Sequence, residues 1–167
     1  MKKLFTIGSE GCKPVDLFAT LRESGVKLLI DVRDVPISRK AGFSKTALAQ
    51  GLSGEGITYL HLKGLGDPKP GRIAAREGRF SDFRKIFGAH LATAAAQQAM
   101  AEAVTAASKS IACLLCFEQD HLNCHRCIVA DSMIQRGRFE LIHLHKSNSL
   151  GRGGRISSDD RTPVYIG

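Results

Sequence analysis

A continuous apolar run that ends in a carboxylate most constrains what this chain can fold into. The run reads IACLLCF from Ile111 to Phe117, and Glu118 ends it. An apolar run of this length is typical of a strand that is covered on both faces of a sheet. A short polar loop follows, and apolar residues at helical spacing then extend from Cys124 to Arg136. The segment therefore predicts a buried strand that leads into a helix, as in α/β proteins.

The same alternation of strand and helix patterns continues through most of the chain. A helical, alanine-rich pattern precedes the buried strand, and other helical patterns separate the remaining strands. Strands that alternate with helices predict a single α/β domain, with a mostly parallel five-stranded sheet and helices on both faces. We assign it to residues 1–146. The four further strands are predicted at Leu4–Ile7, Val26–Val32, Ile57–Leu62 and Phe139–Leu144.

The last 21 residues differ in composition from the rest of the chain. Residues 147–167 are rich in glycine, arginine and serine, which is typical of a flexible basic tail. Within them, Thr162 to Ile166 has the pattern of a short terminal strand. We therefore treat residues 147–167 as a C-terminal tail and not as a second domain.

The net charge and the cysteine content indicate which binding partners and which cellular compartment to expect. The net charge of +8 favours an anionic small molecule or a nucleic acid as partner. No apolar stretch approaches the roughly 20 residues of a membrane span, so we expect no membrane partner. The five cysteines do not form the even set of a secreted disulfide framework, which favours a cytoplasmic location.

The glycines at Gly8 and Gly11 match neither common nucleotide-binding fingerprint, and no cofactor is predicted. The oligomeric state is left open.

Polar side chains follow the predicted strands at their carboxyl ends. Right-handed crossovers place these ends at one edge of a parallel sheet, where ligands bind in open α/β folds. Arginines there can form bidentate contacts with phosphate or carboxylate. Alternatively, Asp31 at the end of the second strand pairs with an arginine and fixes the loop. The predicted ligand-binding residues of this anion-binding cleft are Asp31, Arg33, Arg39, His61 and Arg126.

The start of the last helix carries a thiol, an imidazole and a guanidinium. We expect Asn123 to cap this helix and Cys124 to have a depressed pKa, because a helix N-terminus and neighbouring cations stabilise a thiolate. Glu118 and His125 are candidates for general acid–base catalysis. In the alternative, Cys124 packs in the core and Arg126 merely pairs with Glu118. The candidate catalytic residues are thus Glu118, Cys124 and His125.

Six cysteine and histidine residues between positions 113 and 127 raise the question of a metal site. Cys113 and Cys116 should face opposite sides of their strand. Cys-x-x-Cys spacing occurs at 113–116 and at 124–127, but the first pair lies on a predicted strand and the second on a predicted helix, not in the knuckle turns of zinc modules. We therefore predict no metal site.

Taken together, four short motifs resemble a known family. They are Asp-Val-Arg at 31–33, Gly-Ile-x-Tyr-x-His at 56–61, Leu-Leu-Cys-x-Glu at 114–118 and Cys-His-Arg at 124–126. The combination is similar to the bacterial domain-of-unknown-function family numbered 488, from about Lys3 to His145. The resemblance implies a single α/β domain, but no settled activity and no established site residues. The chain departs from the family pattern at Lys63, where proline is expected, and at Asp67, where glycine is expected.

These observations favour a cytoplasmic protein whose cleft binds or acts on a nucleotide, nucleic acid or other phosphorylated ligand. An enzyme would use Glu118 or His125 as an acid–base group and the arginines as electrostatic clamps. A non-catalytic nucleic-acid-binding module with a basic surface track is one alternative. A thiol-dependent redox or sulfur-handling protein that uses Cys124 is the other. The residues alone do not decide whether the chain is an enzyme.

Overall fold

A computed structural model describes residues 1–146 and contains one sheet of five strands, all of them parallel. The strands are β1 (Lys2–Gly8), β2 (Leu28–Asp31), β3 (Thr58–His61), β4 (Ala112–Cys116) and β5 (Phe139–His143). The α-helices within this range are α1 (Pro14–Glu23), α2 (Lys45–Gly54), α3 (Lys69–Arg76), α4 (Phe80–Leu91), α5 (Ala94–Lys109) and α6 (His125–Arg136).

Strand β4 lies at the centre of the sheet, which has the order β3-β2-β4-β1-β5. Cys113 of β4 is in register with Leu29 on one side and with Phe5 on the other. All five residues of β4 are buried, because strands cover both of its edges and helices cover both of its faces. The predicted buried strand is therefore confirmed.

Helices pack on both faces of the sheet, and each face has its own hydrophobic core. Helices α1 and α2 cover one face with side chains such as Leu17 and Leu48. Helices α3 to α6 cover the other face with side chains such as Phe87 and Met133. Cys113 belongs to the first core and Cys116 to the second, so their predicted placement on opposite faces is confirmed. The predicted α/β fold is confirmed.

The topology opens a crevice at the carboxyl edge of the sheet. The chain leaves β2 toward α2 on one face, whereas it leaves the neighbouring β4 toward α6 on the opposite face. Adjacent strands whose connections diverge in this way create the crevice in which open α/β sheets bind ligands.

Some local predictions differ from the structure. The predicted strands shift by one or two residues at their ends. Asn123 does not cap α6, because the helix begins at His125, one residue later than predicted, and the amide of Asn123 instead donates to Asp120 at 2.9 Å. The N-cap is Cys124, whose extended backbone places its sulfur 3.5 Å from the N–H of Arg126. The predicted tail and terminal strand at 147–167 lie outside the described residues. Among residues 1–146, no helix is long and apolar enough to cross a membrane.

Candidate functional site

A cavity of about 330 Å³ occupies the crevice at the strand ends. It is bounded by the loop after β2, by the segment that leads into α3 together with the first turn of that helix, and by the loop between β4 and α6. Three apolar side chains and several ionisable ones face it. The lining residues are Arg33, Asp34, Val35, Ile37, Ser38, Asp67, Arg72, Phe117, Glu118 and His125.

Arg33 is held in the cavity wall by a buried ion pair. Its Nη2 lies 2.6 Å from Oδ2 of Asp31, and its Nε also donates to that carboxylate. Its Nη1 donates to the carbonyl of Phe43 at 2.8 Å. The pKa of Arg33 is raised, because the hydrogen bond and charge of Asp31 outweigh the effect of burial. This is the loop-fixing ion pair that the sequence left as an alternative to ligand binding.

Two further side chains contact the two residues of this ion pair. The hydroxyl of Tyr59 donates to Oδ2 of Asp31 at 2.6 Å, and burial together with that carboxylate raises the pKa of Tyr59. Nε2 of His61 lies 2.8 Å from the carbonyl of Arg33. Asp31 and His61 thus lie behind Arg33 and do not line the cavity.

Asp67 has the most unusual environment in the cavity wall. Its Oδ1 is buried and has no hydrogen-bond partner among the described residues. Burial, together with the charges of Glu118 and Asp34, raises the pKa of Asp67 to about 7, although Arg72 opposes this shift. A Cβ atom at Gly71 would lie 2.0 Å from that Oδ1, so any larger residue there would displace the carboxyl from this position.

Arg72 ties the two loops beside Asp67 together. Its Nη1 lies 2.7 Å from Oδ2 of Asp34 and 2.7 Å from the backbone carbonyl of Asp67. About one third of the Arg72 side chain is exposed. Arg72 therefore offers the Asp67 carboxyl nearby positive charge without neutralising it through a direct bond.

Glu118 has the opposite shift from Asp67. Burial would raise its pKa, but its own backbone N–H, the neighbouring His125 and the Cys124 thiol outweigh that effect and lower the pKa below its usual value. The sulfur of Cys124 donates to Oε2 of Glu118 at 3.3 Å. Glu118 is therefore the ionised carboxylate of the cavity at neutral pH.

His125 is buried, and burial lowers its pKa, so the ring is neutral at pH 7. Its Nε2 lies 2.7 Å from the carbonyl of Val32. A carbonyl only accepts hydrogen bonds, so Nε2 carries the proton and Nδ1 is an acceptor. That Nδ1 lies 3.7 Å from the sulfur of Cys124. His125 also meets Phe87 edge to face at 5.4 Å between ring centroids, which fixes the plane of the imidazole.

Cys124 lies beneath the cavity floor. The prediction of a depressed pKa is wrong, because burial raises the pKa of Cys124 well above its ordinary value, and Cys116 and Glu118 add to that effect. The sulfur of Cys124 lies 2.8 Å from that of Cys116. The helix N-terminus and the nearby guanidinium of Arg126 do not compensate for the loss of water around this sulfur.

Arg126 is almost completely buried behind these sulfurs. Its Nη1 donates to the sulfur of Cys116 at 2.7 Å and to the carbonyl of Glu118, and its Nη2 donates to the carbonyl of Gln119 at 3.1 Å. Its Nε donates to the hydroxyl of Thr6 at 3.3 Å. Among residues 1–146 it forms no ion pair, so the alternative in which its charge pairs with the Glu118 carboxylate does not hold.

The predicted site residues are therefore only partly brought together. Glu118 and His125 line the cavity, as does Arg33. Cys124 and Arg126 lie directly beneath its floor. Arg39 is exposed on the loop after β2 and does not line the cavity, so the three predicted arginines do not converge on one ligand position.

Cys116, Glu118 and Cys124 place three possible metal-ligand atoms within 4.8 Å of one another. Two thiolates on one tetrahedral zinc ion stand about 3.8 Å apart, given Zn–S bonds of about 2.3 Å. The two sulfurs here are 2.8 Å apart, and a guanidinium contacts one of them. The arrangement fits a pair of thiols better than a cation site.

Sequence reasoning missed several residues of the site. Asp34 and Arg72 are ordinary charged residues in their local sequence, and Phe117 appeared as the last residue of an apolar strand. Asp67 stood out only as a departure from the resembled pattern. Its burial depends on Gly71 and on two loops that are distant in sequence, which no local pattern reports.

Comparison with known proteins identifies the family. Residues 13–133 match the profile of the family described as "Domain of unknown function DUF488". A search of curated proteins and a search of solved structures each found no match to the chain. The matched region runs from α1 into α6 and covers three of the five strands and the whole cavity lining. The chain therefore belongs to the DUF488 family.

Proposed function

We propose that this protein is a hydrolase that applies general acid–base catalysis to a nucleotide or another small phosphorylated ligand in the cavity. The observation that carries the proposal is the pair of carboxyl groups with opposite shifts. Asp67 has a pKa of about 7 and an unpaired oxygen, whereas the pKa of Glu118 is lowered. Two acids whose environments separate their pKa values in one site are suited to serve as acid and base.

The roles of the two acids follow from their protonation at neutral pH. Glu118 is ionised and accepts a proton from a water molecule as that water attacks the ligand. Asp67 retains its proton in about half of the molecules at pH 7 and donates it to the leaving group. His125 is neutral and fixed by Val32, so its part is to hold the cavity wall and not to exchange protons with water.

The walls of the cavity favour a ligand with an apolar or aromatic portion and a negative charge. Val35, Ile37 and Phe117 are largely exposed beside the opening and offer a surface on which a base or sugar can pack. Arg39 and Lys40 are exposed on the same loop. Their charge, with the net +8 of the chain, attracts a phosphate group to the rim. A cavity of 330 Å³ suits a small molecule.

Substitutions of the two carboxyl groups test the proposal directly. Panels of nucleoside monophosphates and nitrophenyl phosphates are screened as substrates. We expect the rate of their hydrolysis to fall about 100-fold in Asp67→Asn and in Glu118→Gln. Asp82→Asn is the matched control, because Asp82 is exposed on α4 and pairs with Arg79, outside the cavity lining. Calorimetric binding of the nucleotide should survive in all three variants.

Two outcomes would contradict the proposal. Hydrolysis that is unchanged in both cavity variants would exclude these carboxyl groups from the reaction. Salt-dependent binding of RNA, with no hydrolysis of any panel member and no effect of either substitution, would indicate the nucleic-acid-binding module instead. A carbon-13 titration of the Asp67 carboxyl gives an independent reading, since its midpoint should lie near pH 7.

A further inference from the structure

Two cysteine sulfurs meet at the junction between β4 and α6. Cys116 is the last residue of β4 and Cys124 is the N-cap of α6, and both are buried. Their sulfurs are 2.8 Å apart. A disulfide bond is about 2.05 Å long, so a covalent link requires the sulfurs to approach by only about 0.8 Å.

The buried guanidinium beside this pair has an unusual set of partners. Arg126 contacts the sulfur of Cys116 at 2.7 Å, and its other N–H groups meet a hydroxyl and two carbonyl oxygens. None of these oxygens carries a formal charge. A buried cation without a carboxylate is unfavourable unless another group supplies negative charge. Its contact with Cys116 places the guanidinium where it stabilises negative charge that develops on that sulfur during a reaction.

A carboxylate that lines the cavity contacts the pair from its other side. The Cys124 thiol donates to Oε2 of Glu118 at 3.3 Å. Glu118 also lines the cavity and is half-buried. Glu118 therefore connects the cavity to the buried Cys124 thiol. Cys127, in contrast, lies outside this contact set.

We propose that Cys116 and Cys124 form a redox-active dithiol that reduces a hydroperoxide entering through the cavity and closes to a disulfide. This activity goes beyond the proposed hydrolase function and does not depend on it. Because Glu118 contacts Cys124, oxidation also removes a hydrogen bond from the carboxylate that serves as base in the cavity.

The reaction has two steps. In the first, the sulfur of Cys124 attacks one oxygen of hydrogen peroxide, and its proton passes to Glu118 as the S–O bond forms. The O–O bond breaks, and the departing hydroxide takes the proton from Glu118 to form water. In the second, the sulfur of Cys116 attacks that of Cys124, the S–O bond breaks, and the hydroxide leaves as water with the proton of Cys116. The two sulfurs lose two electrons, and the peroxide gains them.

Thiol counting on the full chain tests the proposal. The protein has five cysteines, none of them in a disulfide in this structure. After treatment with hydrogen peroxide and denaturation, we expect alkylation to label three thiols. The intact mass should fall by two hydrogen atoms, and peptide mapping should join Cys116 to Cys124. Dithiothreitol should restore all five thiols.

Single-residue variants test whether Cys116 and Cys124, and not other cysteines, form the disulfide. Cys127→Ser is the matched control, and its labelling should fall from four thiols to two. In Cys116→Ser the second step is blocked, so dimedone should trap a sulfenic acid at Cys124. Glu118→Gln should slow disulfide formation by roughly 100-fold, the lower end for general-base catalysis.

The wild-type measurement alone can overturn the proposal, even if a variant does not fold. Five free thiols after peroxide treatment would overturn it, as would a disulfide that joins other cysteines or two chains. Oxidation confined to Cys127 would do the same. Loss of hydrolase activity in Asp67→Asn with a normal dithiol reaction would separate the two proposals.

Discussion

The carboxyl of Asp67 shows how a single side chain can be held in a protonation state that water would not allow. Burial removes hydration from the ionised form, and Glu118 and Asp34 add like charge nearby. Arg72 contacts the backbone carbonyl of Asp67. The result is an acid whose pKa of about 7 lies within the working range of a catalyst.

This environment predicts a pH-dependent stability for the Asp67→Asn variant. Folding raises the pKa of Asp67 to about 7. The free energy of unfolding of the wild type is therefore unaffected by this carboxyl below about pH 4, and it falls as pH rises toward and through about 7. We expect the variant to gain about 2 kcal/mol relative to wild type between pH 4 and pH 8. This is roughly half of the full linkage value, because water in the cavity screens the charge. Urea unfolding at several pH values measures it.

The matched control for that series is Asp82→Asn, whose carboxylate is exposed beside Arg79. The difference in unfolding free energy between this variant and wild type should stay flat from pH 4 to pH 8. A flat difference for Asp67→Asn as well would show that the carboxyl has an ordinary pKa in the folded protein.

The Asp31–Arg33 ion pair makes a second prediction at the residue scale. Asp31 is fully buried and accepts from the backbone N–H and guanidinium of Arg33 and from Tyr59. In Asp31→Asn the guanidinium loses its buried counter-charge, so unfolding free energy should fall by about 3 kcal/mol. Tyr59→Phe removes one hydrogen bond and should lower it by about 1 kcal/mol. Equal losses in chemical denaturation would contradict a structural ion pair.

At the scale of elements, the ends of β1 and β4 are locked together where the site begins. The N–H of Ser9 donates to the carbonyl of Cys116 at 3.0 Å, and that of Glu10 to Phe117 at 2.7 Å. The parallel pairing thus continues past both strands into their loops. This continuation positions Glu118 and the turn that carries the chain toward α6.

Gly8 is the residue that permits this close approach. A Cβ atom at Gly8 would lie 1.9 Å from the backbone oxygen of Glu118. Gly8→Ala should therefore push the β4–α6 loop away and lower unfolding free energy by about 3 kcal/mol. Gly88→Ala is the control, since a Cβ atom there, on the exposed side of α4, would meet no atom of residues 1–146 within 4 Å. It should stabilise the helix by about 0.5–1 kcal/mol. Thermal unfolding of both variants decides the comparison.

Helix α6 illustrates why an element can be predicted while its chemistry is not. The helical pattern from Cys124 to Arg136 correctly indicated α6. The predicted thiolate at its start assumed an open N-terminus. In the structure, Cys124 packs against β4 and lies in the core beneath Glu118 and His125, so desolvation dominates over the helix dipole.

For the whole molecule, the distribution of charge bears on nucleic-acid binding. Residues 147–167 contain three arginines and two aspartates, so residues 1–146 hold +7 of the net +8. If the chain binds single-stranded RNA, affinity should fall with salt at a log–log slope of about −0.7 per phosphate contact. Deletion of residues 147–167 should leave that slope almost unchanged. Fluorescence anisotropy at a series of salt concentrations measures both, and a slope that collapses on deletion would assign binding to residues 147–167.

The amino-acid sequence by itself determined the elements and their common edge. Strand and helix patterns are local, because burial on one or both faces imposes a period that is visible in the chain. The rule that parallel strands end at one edge then brought Glu118, His125 and Arg33 to a shared crevice. The elements and their shared edge could be predicted without knowing which strands are neighbours in the sheet.

The tertiary structure alone decided the depth and pairing of the side chains. Strand β4 lies between β2 and β1, and this order buries Cys124 and Arg126 beneath the cavity instead of leaving them at its rim. It also brings Asp67 near Glu118, although the two are 51 positions apart in the chain. Burial and proximity of charges depend on three-dimensional neighbours, so the raised pKa values of Asp67 and Cys124 follow from packing and not from local sequence.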